Sequence, residues 1–504
     1  MNVASPVRSR WLPSPRRVID ARDVWLGIAL ITLLGAVVRF ATLGLQSFWL
    51  DEAFTIHALR RPFGTMVDDV LNTQAQPPPY FILAWGWIRV FGSDEVGLRS
   101  MSALFGTATI PVAWGIGRAV IGRRAGLVLA LFTALAPPLI WYSQEARAYA
   151  LVILLSALSL LFFARMLREP RRRDLWLWAA TSLIAVASHY FALFVVVPEA
   201  AWLVARVVDR RRDWPPFALL VAGLGALAPL VLYQREHGGA DWIGMLDLSD
   251  RLRTAAAFAV SGQIVPSPFR DEWWFSGLVL ALLAVAAVVA LRRTAGPART
   301  RTVALLVVGL GGLALPLAAA AVGSDFVLDR NLLPLWLPLV AVVAVALATV
   351  RPPVALAVAV ALAGWFAYID VRDVSEEGLQ REDWREMSSM IGLPLEDRII
   401  EMDPWWQLDP LRLHQPIMFD YGTPKRVRQV ITFTYEGLVP YGEPRSTKAP
   451  GPPFREVRRL NKQHWRIVFY ESPRPVRIEP VDLTGVGRAR AVPYFQPSIL
   501  PKKR

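Results

Sequence analysis

The sequence predicts a polytopic α-helical membrane protein of about 11 spans. Surface-lying helices are expected in its first outer loop, and an extracytoplasmic α/β domain at its C-terminus. Three observations predict this class: apolar residues gather in runs of spanning length, arginines collect between alternate runs, and the texture changes at Asp370. The 504 residues are 54% hydrophobic and 19% charged, and the mean hydropathy is +0.37. Against this apolar background the net charge is +14 and the pI about 10.4. A basic chain suggests nucleic acid, but soluble nucleic-acid binders do not average this apolar, so no nucleic-acid partner is expected. The apolar content also excludes intrinsic disorder. No cysteine is present, which removes disulfides, thiol nucleophiles and thiolate metal sites.

About 20 apolar residues cross a bilayer. Candidate spans stand at 24–44, 97–118, 125–142, 149–167, 175–190, 191–207, 216–233, 273–291, 302–322, 331–350 and 352–369. The first follows Arg8, Arg10, Arg16, Arg17 and Arg22 like a signal peptide. Its apolar stretch is too long for one and no small-residue cleavage site follows, so it reads as a retained anchor. Pro79–Phe91 has only 13 residues and carries Arg89, so it reads as a helix lying at the membrane surface.

With that helix not crossing and the N-terminus cytoplasmic, the arginines of the short loops fall on the inner side. They are Arg118, Arg123, Arg124; Arg165, Arg168, Arg171, Arg172, Arg173; Arg206, Arg210, Arg211, Arg212; Arg292, Arg293, Arg299, Arg301; and Arg351. If Pro79–Phe91 crossed, every later cluster would face outward. The charge is therefore largely an orientation signal. Residues 370–504 hold 22 Lys and Arg against 19 Asp and Glu, which leaves 33 against 22 in residues 1–369.

Residues 1–369 thus form a transmembrane domain and 370–504 an outer soluble one. In the latter, strand-sized runs stand at Arg398–Met402, Val427–Thr434, Trp465–Tyr470 and Val476–Val481, with a polar helical stretch at Arg381–Ile391. Its Trp405-Trp406 pair offers a stacking surface for a glycan or a piece of core. A multi-pass protein of the cell membrane follows.

Under this topology the unusual polar residues collect on the outer side: Asp51-Glu52, Gln76-Pro77-Pro78-Pro79-Tyr80, Ser143-Gln144-Glu145-Ala146-Arg147-Ala148-Tyr149, His189-Tyr190, and Asp329-Arg330-Asn331. Taken singly, each has a bland reading as a solvated loop start, a bend, a snorkelling arginine, a core histidine or a local ion pair. Glu199 sits mid-span beside Pro198, where a carboxyl is costly and must be neutral, paired or functional.

In this order the segments resemble the polyprenyl-phosphate-sugar-dependent glycosyltransferases of the GT-C superfamily. The bacterial relatives of the dolichyl-phosphate-mannose–protein mannosyltransferases and aminoarabinose transferases are the most similar. That family is similar in its Asp-Glu after the first span, its His-Pro-Pro-Leu-Tyr-like segment, its Ser-x-Glu-Ala-Arg-x-Tyr segment and its late Arg-Tyr-Leu. The outer domain's Asp383-Trp384-Arg385 matches a further segment. Two departures stand out: Gln76 replaces the histidine, and Asn331 the tyrosine.

The resemblance implies transfer of a sugar from a polyprenyl-phosphate donor to an extracytoplasmic hydroxyl acceptor. It implies Asp51 as catalytic base with Glu52 beside it, and Arg147 and then Arg330 as donor-phosphate ligands. Gln76, Tyr80, Glu145, Tyr149, His189 and Tyr190 are the implied substrate contacts. Inversion by a single displacement is the family-level expectation. A divalent cation stays open, because carboxylates abound but no spaced His/Asp ligand set stands out. The alternative from another class is a transporter or flippase, which would predict internal repeats that the sequence lacks.

Overall fold

The computed structural model describes residues 21–74, 76–209, 211–237, 241–262, 273–404, 407–415, 418–420, 424–436, 447, 449–479 and 492–498. The Trp405-Trp406 pair, Arg8, Arg10, Arg16, Arg17, Arg210 and the last two residues of the Val476–Val481 run lie outside them. The chain is mostly helical and ends in a small sheet.

Among the described residues, eight helices are long and apolar enough to cross a membrane: Arg22–Phe40, Glu95–Val120, Tyr149–Arg168, Trp214–Glu236, Trp273–Arg293, Gly296–Ala321, Asp329–Thr349 and Pro352–Ser375. A ninth candidate is the broken pair Arg123–Leu135 and Pro137–Ser143, bent by 55°. The two other expected spans are shorter helices, Arg172–Ser188 of 17 residues and Leu193–Arg206 of 14. Trp25, Leu26, Val221, Leu280, Leu310 and Val360 stand exposed on these helices, as lipid contact requires.

The first interhelical loop folds into Leu50–Leu59, Phe63–Thr73 and Pro79–Phe91. The last begins with Pro at its first position, where a missing N–H costs nothing, and ends at Gly92 with φ 95°. Its 13 residues extend about 20 Å, short of the roughly 30 Å of a hydrocarbon core.

The break at Ala136 has a visible cause. Pro137 and Pro138 have no N–H to give the carbonyls of Thr133 and Ala134. Buried Arg39, near the end of the first helix, supplies both missing donors: Nη2 to Thr133 O at 2.8 Å and Nη1 to Ala134 O at 2.8 Å. Its Nε reaches Ser143 Oγ at 3.1 Å. Gly106 makes room, since a Cβ there would stand 1.9 Å from Ser143 Oγ and 3.0 Å from Arg39 Nε.

The arginine-rich loops share one end of the bundle. Arg168 Nη1 donates to Arg118 O (3.2 Å), Arg172 Nη2 to Arg212 O (3.2 Å) and Arg301 Nε to Val120 O (2.7 Å). The sheet sits at the opposite end. Its strands are β1 (Arg398–Asp403), β2 (Phe419–Asp420), β3 (Lys425–Tyr435), β4 (Arg455–Lys462), β5 (Trp465–Ile478) and β6 (Val492–Gln496). They run in the order β2-β6-β1-β3-β5-β4, with β1 and β3 parallel and the other pairs antiparallel.

Alternation splits the sheet's apolar residues between two faces. Ile400, Met402, Ile431, Phe433, Ile467 and Phe469 pack under helices Trp384–Ile391 and Leu408–Arg412. Ile399, Val427, Val430 and Ile478 form a smaller cluster. β5 joins two runs that the sequence separates, and β4 is a strand that its polar Arg-Glu-Val-Arg-Arg-Leu-Asn-Lys sequence conceals. That charge suits an edge strand, which it protects from further pairing.

Candidate active site

Helix Leu50–Leu59 carries both adjacent carboxylates in its first turn, and successive helical positions point them about 100° apart. Glu52 turns inward and is fully buried. Arg99 grips it with Nε to Oε1 at 2.8 Å and Nη2 to Oε2 at 2.5 Å, and the Ala146 N–H adds a third bond at 2.8 Å. Burial pushes this carboxyl up, but the charge and hydrogen bonds of Arg99, then Arg381 and Ala146, hold it below its ordinary value. Arg99 also donates to the carbonyls of Leu43, Gln46 and Ser47. One buried ion pair therefore locks the end of the first span, the start of the next helix and the 144–148 loop together. With both oxygens committed, Glu52 has the geometry of a positioning group.

Asp51 faces the other way. Its Oδ2 lies 3.4 Å from Arg330 Nη1, and both side chains keep about a fifth of their surface open. Arg330 lines a cavity of about 290 Å³ with Trp49, Trp141, Tyr142, Glu145 and Arg381.

Arg147 lies among neutral acceptors. Gln76, with its amide oriented as its neighbours require, accepts from Nη2 at 2.7 Å and Nη1 at 3.3 Å. Gln74 Oε1 and Thr55 Oγ1 accept from Nη1 at 3.2 and 3.4 Å, and among the described residues the buried Nε has no partner. None of these contacts is a carboxylate. A guanidinium held by uncharged groups keeps its full charge for an anion. Thr55 also bonds the Asp51 backbone carbonyl at 2.9 Å, so Arg147 is tied to a residue one helical turn after the base candidate.

Glu145 and Tyr149 complete this end. Glu145 Oε2 accepts from Arg381 Nη2 at 2.8 Å, while its buried Oε1 finds no partner among the described residues. Burial raises the Glu145 carboxyl to about 7, the nearby Arg381 charge lowering it and Glu52 and Asp51 adding to the rise. Tyr149 lies within electrostatic reach of Arg330, Asp51, Arg147 and Glu145, and its ring centroid is 4.7 Å from that of Tyr142. His189 packs 5.6 Å from Tyr149, centroid to centroid, and its Nδ1 accepts from the Phe191 N–H at 3.4 Å.

The fold brings Asp51, Arg147, Arg330, Gln76, Glu145, Tyr149 and His189 to one end of the bundle. Two further expected contacts are Tyr80 and Tyr190. Tyr80 is fully buried against Phe81 within electrostatic reach of Glu52, Arg147 and Glu145, and its hydroxyl is raised by burial. Tyr190 gives its hydroxyl to Gln234 Oε1 at 2.7 Å, and Gln234 Nε2 reaches Gln76 O at 3.3 Å, so this tyrosine braces the first loop.

Sequence reading missed Arg99, Arg39 and Arg381. The first two are charges within or at the ends of apolar helices, a detectable signal. Arg381 has none, because it lies in a polar linker. Among the described residues no group of three or more His, Asp or Glu side chains is arranged to hold a metal ion.

Residues 75–233 match the family model described as dolichyl-phosphate-mannose-protein mannosyltransferase. No curated protein sequence matches the chain. Among solved structures, it is similar to ArnT from Cupriavidus metallidurans in the apo state, at 14% identity and TM-score 0.56, covering 89% of this chain and 98% of that one. The same protein bound to undecaprenyl phosphate matches at 15% identity and TM-score 0.52 with the same coverage. The arabinofuranosyltransferase AftD from Mycobacteria aligns over 90% of this chain and 41% of its own, at 16% identity and TM-score 0.48. The multi-helix membrane fold with a C-terminal α/β domain that the sequence implied is shared with ArnT.

Proposed function

We propose that the protein is an integral-membrane glycosyltransferase that moves a sugar from a polyprenyl-phosphate donor to a hydroxyl of an extracytoplasmic acceptor. The observation that carries this reading is Arg147, a guanidinium among neutral acceptors, one of which, Thr55, stands one helical turn after Asp51. The similarity to ArnT, solved with undecaprenyl phosphate, supports a lipid phosphate as the anion.

In this reading the acceptor oxygen attacks the anomeric carbon as the bond from that carbon to the phosphate oxygen breaks. The hydroxyl proton passes to Asp51, and the electron pair of the broken bond leaves on the lipid phosphate. A neutral hydroxyl is a weak nucleophile, so a carboxylate within reach of its proton lowers the barrier. Arg147 and Arg330 stabilise the charge growing on the departing phosphate from positions already set. Glu52, locked to Arg99, holds Asp51 in place. One base and a single displacement give inversion at the anomeric carbon. The membrane end bearing the site and the sheet is the outer one, and the arginine-rich end faces the cytoplasm.

Purified protein with radiolabelled undecaprenyl-phosphate sugars and an envelope extract as acceptor tests the reading. Asp51→Asn is expected to lower kcat by a factor of roughly 10² to 10⁴ with little effect on donor binding. Arg147→Ala is expected to weaken donor binding. Full transfer by Asp51→Asn would remove the base assignment, and movement of intact lipid-linked sugar across vesicles without transfer would mark a flippase.

A further inference from the structure

The site contains a side chain from outside the transmembrane domain. Beyond helix Pro352–Ser375, residues 381–384 are bonded to Gln46 and Ser47 in the loop that precedes Asp51. Arg381 projects from this segment with 8% of its surface exposed. Its Nη2 donates to Glu145 Oε2 at 2.8 Å, and its guanidinium carbon lies 4.2 Å from the ring centroid of Trp141. Its backbone N–H donates to Gln46 Oε1 at 3.3 Å.

Both flanks of the segment are pinned. Ser47 Oγ donates to Glu382 O (3.0 Å) and accepts from the Trp384 N–H (2.9 Å). From the sheet, Gln463 Nε2 donates to Arg381 O (3.0 Å) and Glu377 O (3.2 Å), and its Oε1 accepts from the Asp383 N–H (2.8 Å). Gln463 holds φ at 50°, a left-handed conformation that is unfavourable for a residue with a side chain. The β4–β5 turn thus adopts a costly backbone at the residue that clamps the segment carrying Arg381.

The second observation is at the other end of the ion pair. Glu145 lines the cavity with only 1% of its surface exposed, and one of its oxygens has no donor among the described residues. A buried acceptor without a donor costs about 1–3 kcal/mol unless something fills the role. The cavity beside it is large enough for a sugar ring, and a sugar carries several hydroxyl donors.

We propose that Arg381 is a positioning residue for sugar recognition: it holds one oxygen of Glu145 so that the other faces the cavity and accepts a hydrogen bond from a hydroxyl of the donor sugar. The sheet domain then completes the sugar-binding wall instead of merely capping the transmembrane domain. This inference rests on the reading of the cavity as a sugar-transfer site. It separates sugar recognition, at Glu145 and Arg381, from phosphate recognition at Arg147.

Binding measurements on the full-length protein in detergent separate the two. The probes are free undecaprenyl phosphate and its mannose, galactose and arabinose conjugates. Wild type is expected to bind at least one conjugate more tightly than the free lipid phosphate. Arg381→Met and Glu145→Gln are each expected to erase that increment, about tenfold, while leaving the free lipid's affinity unchanged. The double variant is expected to lose no more than either single one. Arg381→Lys is expected to restore part of the increment.

Glu145→Gln preserves side-chain volume and gives the same discrimination if Arg381→Met fails to fold. The proposal is overturned if no conjugate outbinds the free lipid, if the increment survives both substitutions, or if the free lipid weakens equally. If instead Arg147→Ala leaves free-lipid affinity intact while the sugar increment behaves as expected, the phosphate assignment fails and this inference stands.

Discussion

Glu145 shows how one buried carboxyl makes the protein sensitive to pH. Burial carries it from the ordinary 4.5 to about 7. The folded state therefore binds this proton more tightly than the unfolded chain does. Stability from this group is complete below about pH 4.5 and is lost as pH rises towards 7. Thermal unfolding in detergent between pH 5 and 8 is expected to show a declining contribution in wild type that Glu145→Gln removes. An unchanged pH slope in the variant would contradict the shift. The neighbouring Glu52 has the opposite balance, because Arg99, Arg381 and the Ala146 N–H together outweigh its burial. The two acids share the Ala146 loop yet shift in opposite directions, Glu52 with Arg99 and the Ala146 N–H as donors and Glu145 with Arg381. The sequence displayed Glu52 and Glu145 plainly, but their partners Arg99 and Arg381 lie 47 and 236 residues away.

At the scale of the helix, the broken pair is where the site's loop is set. Pro137 and Pro138 free two carbonyls in a medium without water, and an unsatisfied carbonyl there is expensive. Arg39 fills both places. Arg39→Met is expected to lower stability by about 2–4 kcal/mol, since it leaves both carbonyls unpaired. Gly106→Ala is expected to destabilise through its clash with Ser143 Oγ. Gly225→Ala, in a helix where a Cβ would meet nothing within 4 Å, is the matched control and is expected to be neutral or better. Melting curves of the three variants check this ordering.

Glu199 shows the same logic in the bundle. Its Oε2 accepts from Trp178 Nε1 at 2.9 Å and from Ser159 Oγ, joining helices Tyr149–Arg168, Arg172–Ser188 and Leu193–Arg206. The mid-span carboxyl that sequence left open as neutral, paired or functional is hydrogen-bonded between helices.

Over the whole molecule, the arginine-rich loops and the candidate site occupy opposite ends, as the parity of the spans requires. The absence of cysteine makes this testable without background labelling. A single cysteine at Arg123 is expected to react with a membrane-impermeant maleimide only in inverted vesicles, and one at Val457 only in intact cells. The reverse pattern would invert the proposed orientation.

The apolar run lengths, the short helix at Pro79–Phe91 and strands β1, β3 and β5 of the C-terminal sheet were legible because each depends on composition within one stretch of chain. Bilayer thickness and backbone hydrogen bonding then leave few options. The motif order likewise pointed to Asp51 and Arg147 as members of one outer-face cluster. Only the tertiary structure decided that Glu52 turns to Arg99 while Asp51 reaches Arg330, that Tyr190 braces the first loop, and that Arg381 enters from outside the transmembrane domain. Those outcomes depend on which donor reaches which acceptor across tens or hundreds of residues. Local pattern carries no information about such pairings until the helices have packed.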